Sequence, residues 1–200
     1  MIKHIVKLIF LGFIALLGIS AGTLSDKQVK DFTLLNVDGK MVSTRDYPNA
    51  KGFIVVFTCN HCPFAKKYTS RLNDLAQKYA AVCVPLLAVN STDTVQYEEE
   101  GLANMRTKAT TEHWAFPYLY DVQQTVVRDF GAKKTPHAYV VWKENGNWII
   151  KYNGAVDDNG AEPTKITHAY VAEAVDALLA GKEVPTKETK SIGCMINLRQ

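Results

Sequence analysis

Phe53-Ile54-Val55-Val56-Phe57-Thr58-Cys59-Asn60-His61-Cys62-Pro63-Phe64 runs from unbroken hydrocarbon straight into a pair of cysteines. Five consecutive apolar residues, three of them β-branched, predict a strand buried on both faces. Phe64, Tyr68, Leu72, Leu75, Ala76 and Tyr79 then recur at helical spacing, with Lys66, Lys67, Arg71 and Asp74 between them. The Cys-x-x-Cys pair therefore falls where a buried strand hands over to a helix. A thiol at a helix N-terminus faces unpaired N–H groups and the positive end of the helix dipole, which favour thiolate. Two-residue spacing returns the second sulfur to bonding reach, so Cys59 is expected to attack and Cys62 to resolve the mixed disulfide. His61 is expected to stabilise the reduced form and make the pair more oxidising. A zinc knuckle is the competing reading; it needs about four ligands, and the chain has no second pair at suitable spacing.

Alternation continues on either side. Asp38-Gly39 predicts a hairpin turn after Phe32–Leu35, Leu86–Val89 a second buried strand opened by Pro85, and 94–109 a polar helix. Pro117–Tyr120 reads as extended, and Gln123–Phe130 as a helix stopped by Gly131. Ala138–Trp142 and Trp148–Tyr152 read as strands joined at Asn145-Gly146. Val171, Ala174, Val175, Leu178 and Leu179 form one helical face closed by Gly181. This order predicts an α/β fold: a mixed central sheet with helices on both faces, an N-terminal β-hairpin and a helical insertion. The expected organisation is a leader over 1–22, one domain over 23–181 and a tail over 182–200.

The leader reading rests on Lys3, Lys7 and an uncharged run from Leu8 to Ile19, followed by the small residues Gly18, Ser20, Ala21 and Gly22. Export to a periplasmic or other extracytoplasmic space is expected, with membrane attachment only through this segment if it stays uncleaved. Of the 200 residues, 23 are Lys or Arg against 20 Asp or Glu, a formal charge of +3. Two of those surplus charges belong to the leader, so no nucleic-acid partner is indicated. A composition 47% hydrophobic and 22% charged excludes a disordered chain, and four cysteines are too few for a disulfide scaffold. No phosphate loop, HExxH or GxSxG is present.

Other candidates carry alternatives. Cys83 reads as a small buried hydrophobe beside a strand, and Cys194 as a docked tail thiol or an additional redox thiol. Thr135-Pro136, by itself, reads equally as an edge device opening a strand. His137 reads as a strand-edge side chain or as a neighbour of the disulfide, His113 and His168 as surface or helix-start residues, and Lys133 and Lys134 equally as a solvated loop pair or as positive potential near the thiolate. Glu98-Glu99-Glu100 is expected to be a solvated helix face.

The segments Val56–Phe64, Ala88–Ser91, Phe116–Asp121, Thr135-Pro136, Ala177–Lys182 and Ser191–Cys194 together resemble one family. The chain is similar to thioredoxin-fold redoxins of the alkyl hydroperoxide reductase/thiol-specific antioxidant superfamily, in a peroxiredoxin-like branch with the Cys-Asn-His-Cys-Pro motif. The resemblance implies a cis Thr135–Pro136 loop facing the cysteines, able to pair with an extended substrate strand. It departs from the peroxiredoxin Pro-x-x-x-Thr-x-x-Cys loop: counted from Cys59 those places hold Gly52 and Val56, counted from Cys62 they hold Val55 and Cys59. Lys134 stands where the branch often has another cysteine, and Phe53 replaces the buried acid of ordinary thioredoxins.

An exported thiol–disulfide oxidoreductase is therefore expected, acting on protein or small-molecule thiols and disulfides and recharged by an electron donor the sequence does not name. No organic cofactor and no metal are expected, since a disulfide itself carries two electrons. The alternatives are a thiol peroxidase using Cys59 and regenerating through Cys62 or Cys194, and a Cu(I) module using Cys59, Cys62 and a histidine such as His137.

Overall fold

The computed structural model describes residues 26–199, so the expected leader lies outside the described residues. The strands are β1 (Gln28–Val29), β2 (Thr33–Asn36), β3 (Met41–Ser43), β4 (Gly52–Phe57), β5 (Leu86–Asn90), β6 (Tyr118–Tyr120), β7 (Lys134–Thr135), β8 (His137–Glu144), β9 (Asn147–Gly154) and β10 (Cys194–Met195). The helices are α1 (Pro63–Lys66), α2 (Thr69–Ala80), α3 (Leu102–Thr111), α4 (Thr125–Phe130) and α5 (Tyr170–Leu179). Eight strands form one mixed sheet in the order β1-β9-β8-β4-β5-β6-β2-β3, and β10 pairs with β7 in a separate two-stranded ladder. β4, β5 and β6 run parallel, whereas β8 lies antiparallel to β4.

Period-two alternation along β4 sorts its side chains between two cores. Ile54 and Val56 join Leu72, Ala76 and Tyr79 of α2, Met105 of α3, and Val171, Ala174 and Val175 of α5. Phe53, Val55 and Phe57 join Val126, Val127 and Phe130 of α4, together with Trp148 and Ile150. Helices thus cover both faces, as the sequence predicts, and each large apolar side chain removed from water contributes roughly 1.5–3 kcal/mol.

Three local expectations change. The helix expected after the cysteines is two helices, because the Lys67 and Tyr68 amides bond the carbonyls of Phe64 and Ala65, three residues back, tightening the turn. That break lets the Tyr68 hydroxyl donate to Asp157 at 3.1 Å. The polar helix expected over 94–109 is a 3₁₀ turn at Glu98–Glu100 followed by α3, divided by Gly101, whose ψ of 156° is extended. Cys83 is half-buried rather than core: it occupies a turn at φ +64°, and its carbonyl accepts from the Lys51 amide. Among the described residues no helix is long and apolar enough to cross a membrane.

The segment after α5 has little periodicity but is firmly docked. Val184 and Ile196 are buried, and the Lys187 carbonyl and Thr189 amide bond the backbone of Asn153. Gly154, at φ +146°, makes room for this crossing, since a Cβ there would lie 2.1 Å from Thr189 Oγ1.

Candidate active site

Cys59 lies two residues past the end of β4, and Cys62 is the N-cap of α1. Both are fully buried. They converge on one residue of the opposite loop: Cys59 Sγ is 3.1 Å from Thr135 Oγ1, and the Cys62 thiol donates to the Thr135 carbonyl at 3.2 Å. The Thr135–Pro136 peptide is cis. The structure thus brings Cys59, Cys62 and Thr135 together, with Cys194 packed against the same two cysteines and Ala65.

The two thiols sit in opposite electrostatic settings. Burial pushes the Cys59 thiol up to about 12; the Thr135 hydroxyl opposes this, and the Glu100 carboxylate adds to it. Burial also opposes charge on Cys62, but hydrogen bonds from the Cys194 thiol, the Ala65 and Cys194 amides and the Thr135 hydroxyl outweigh it and lower its pKa. This reverses the expectation that Cys59 is the favoured thiolate. The physical reason is the set of partners: Cys59 is dominated by burial, whereas Cys62 is met first by the Cys194 thiol and then by the Ala65 amide in the first turn of α1.

Glu100 is the residue that sequence reasoning missed. Instead of belonging to a solvated face, it is wholly buried beside the motif. The amides of Asn60 and His61 donate to its carboxylate at 2.8 Å each, and Asn90 Nδ2 donates at 2.6 Å. His61 Nδ1 lies 2.6 Å from Glu100 Oε1, which places the ring proton on Nδ1 because a carboxylate only accepts. Asn60 is held as well: its side chain donates to the Glu99 carbonyl and accepts from the Tyr118 hydroxyl. The residues between the cysteines are thereby clamped by the turn that follows β5, the strand beside β4. No local pattern ties position 100 to 60–61; the break at Gly101 is the sole hint that this glutamate leaves a helix face.

His61 therefore turns toward Glu100 and stacks on Tyr97, with ring planes 2° apart at 4.9 Å. His137 is buried on β8, stacked on Tyr139 at 4.6 Å. Among the described residues the metal-ligating groups that converge are Cys59, His61 and Glu100, within 4.8 Å of one another; His137 is not among them. Thiol, imidazole and carboxylate are a donor set zinc accepts, but both Glu100 oxygens are already engaged by N–H donors. Beside Pro136 opens a groove of about 300 Å³, lined in part by Phe64, Tyr68, Asp157, Gly160 and Ile192.

Residues 26–159 match the family model described as AhpC/TSA family. The chain belongs to the AhpC/TSA family. An uncharacterized conserved protein from Geobacillus kaustophilus is 36% identical, with a TM-score of 0.79 over 88% of this chain and 92% of its own. A hypothetical protein from Sinorhizobium meliloti 1021 is 30% identical, also at 0.79, over 88% and 94% of the two chains. Peroxidoxin BcpB from Mycobacterium tuberculosis shares the thioredoxin fold, at 19% identity and a TM-score of 0.52 over 64% of this AhpC/TSA chain and 83% of its own. No curated protein matches the sequence.

Proposed function

We propose that this AhpC/TSA chain is a thiol–disulfide oxidoreductase that stores two electrons in the Cys59–Cys62 pair. The observation that carries this reading is the convergence of both sulfurs on Thr135, at the junction of a buried strand with a helix. Thiolate character and a neighbouring resolving thiol are what disulfide exchange requires. Cys62, with the lowered pKa, is the sulfur that exchanges with an incoming disulfide, and Cys59, held as a thiol, resolves it. No organic cofactor is needed. The leader reading of residues 1–22 places the activity outside the cytoplasm, with protein or small-molecule disulfides as substrates and a thiol donor to recharge the pair.

The test is equilibration of the full-length protein with glutathione redox buffers, with thiols counted by mass spectrometry. A single two-electron transition is expected in Cys194→Ser, and its loss when either Cys59→Ser or Cys62→Ser is added to that variant. In the same Cys194→Ser background, covalent trapping of a disulfide substrate is expected with Cys59→Ser and not with Cys62→Ser. Stoichiometric peroxide consumption that outpaces disulfide exchange would overturn the reading in favour of a thiol peroxidase.

A further inference from the structure

The tail runs along the same loop that a substrate strand would use. Cys194 lies opposite Thr135 and Met195 opposite Lys134 in antiparallel register, and the Ile196 amide extends the ladder to the Lys133 carbonyl at 2.9 Å. Gly193, at φ +153°, brings the chain so close that a Cβ would lie 2.0 Å from the Thr135 carbonyl oxygen. Beyond the ladder the tail is anchored further: Arg128 donates to the Arg199 carbonyl at 2.6 Å. Asn197 donates to the Tyr97 hydroxyl at 2.8 Å, Gln124 exchanges bonds with Asn197 and Arg199, and Arg199 pairs with Asp93 at 2.6 Å. The result is an extended peptide, Ile192-Gly193-Cys194-Met195-Ile196, whose cysteine touches the redox pair.

We propose that the tail is a tethered substrate: Cys194 exchanges with the Cys59–Cys62 disulfide to form a Cys62–Cys194 disulfide, which locks the tail over the Thr135 edge and closes it to other peptides. This rests on the redox-pair reading above. In the step, the Cys194 thiol loses its proton and its sulfur attacks Cys62 Sγ. The Cys62–Cys194 bond forms as the Cys59–Cys62 bond breaks, and the released electron pair stays on Cys59 Sγ, which takes up the proton. One disulfide replaces another, so no oxidant or reductant is consumed. The burial that pushes the Cys59 thiol up to about 12 keeps the released sulfur protonated and slows its return attack. Reduction of Cys62–Cys194 by a donor thiol would return the tail to the backbone ladder alone, from which a competing strand can displace it.

Full-length Cys59→Ser treated with one equivalent of diamide is the test. The expected product is a Cys62–Cys194 cross-linked peptide in a non-reducing digest, with Cys83 the remaining free thiol. Its yield should be unchanged on tenfold dilution, because the reaction is intramolecular. Gly193→Val in the same background should lower that yield at least tenfold. Disulfide-linked dimers whose yield falls on dilution, or Cys194 recovered free after Cys62 is consumed, would overturn the proposal. Cys194→Ser separates the two readings. If it still forms Cys59–Cys62 while Cys59→Ser forms no cross-link, the tether alone is wrong; if it forms no Cys59–Cys62 disulfide, the redox-pair reading fails and the tether with it.

Discussion

Glu100 Oε1 lies 2.6 Å from His61 Nδ1, joining the turn that follows β5 to the centre of the Cys-x-x-Cys motif. A buried carboxylate with this many N–H partners is costly to remove, since each abandoned donor loses its partner without regaining water. Glu100→Ala is expected to destabilise the protein by about 3 kcal/mol in urea unfolding. Glu100→Gln keeps the shape but removes the negative charge. It should lower the Cys59 pKa from about 12, read by thiolate absorbance at 240 nm.

The opposite settings of the two sulfurs give a second expectation. In the reduced protein, the first thiolate to appear as pH rises is that of Cys62. The 240 nm transition below the ordinary cysteine range should survive in Cys59→Ser and vanish in Cys62→Ser. In Cys194→Ala it should move upward, because no side chain at 194 then donates to the Cys62 sulfur.

Arg71 pairs with Asp157 at 2.6 Å in the interior and also donates to the Asn159 carbonyl at 2.9 Å, bracing the loop that walls the groove beside Pro136. Arg71→Met strands a buried carboxylate and should cost about 3–5 kcal/mol in urea unfolding. The double variant Arg71→Met with Asp157→Asn should recover part of that loss, a coupling that a double-mutant cycle measures.

His137 supplies a pH dependence whose sign can be worked out. Burial, helped by the nearby Lys133 charge and opposed by a hydrogen bond with Asn153, pushes its pKa down to about 4 from 6.5. Between those values the unfolded chain binds more protons than the folded one, so stability rises with pH. The contribution is complete above about pH 6.5 and is lost as pH falls toward 4; a shift of this size corresponds to roughly 3 kcal/mol. His137→Asn should remove about that much of the stability difference between pH 7.5 and pH 4, measured by urea unfolding at both.

Most of the fold was legible because local chemistry and tertiary role agree. The run from Phe53 to Phe57 is apolar on both faces because it is central in the sheet, and Asp38-Gly39, Asn145-Gly146 and Gly181 stand where the chain turns at positive φ. Cys59, Cys62 and Thr135-Pro136 were legible as types, but their electrostatics were not. Which thiol is favoured depends on burial and on the Cys194 thiol, a partner distant in sequence that no local pattern announces. Glu100 was illegible because its partners Asn60 and His61 are distant in sequence, and an acidic triplet looks the same solvated or buried. The tail lacked periodicity because its binding is by backbone ladder and single anchors, which leave no hydrophobic rhythm to read.

The ladder between β10 and β7 has a consequence for how the protein behaves at high concentration. Lys134–Thr135 is a strand edge, and the tail is its partner among the described residues. Lifting the tail uncovers backbone donors and acceptors beside apolar Phe64 and Pro136, the kind of open edge that recruits strands from neighbouring molecules. A chain shortened after Gly181 should therefore be a poorer colloid than the intact one, self-associating in light scattering at concentrations where the full-length protein stays monodisperse. The same few backbone bonds that govern access to the cysteines also set how densely the protein can be packed before it sticks to itself.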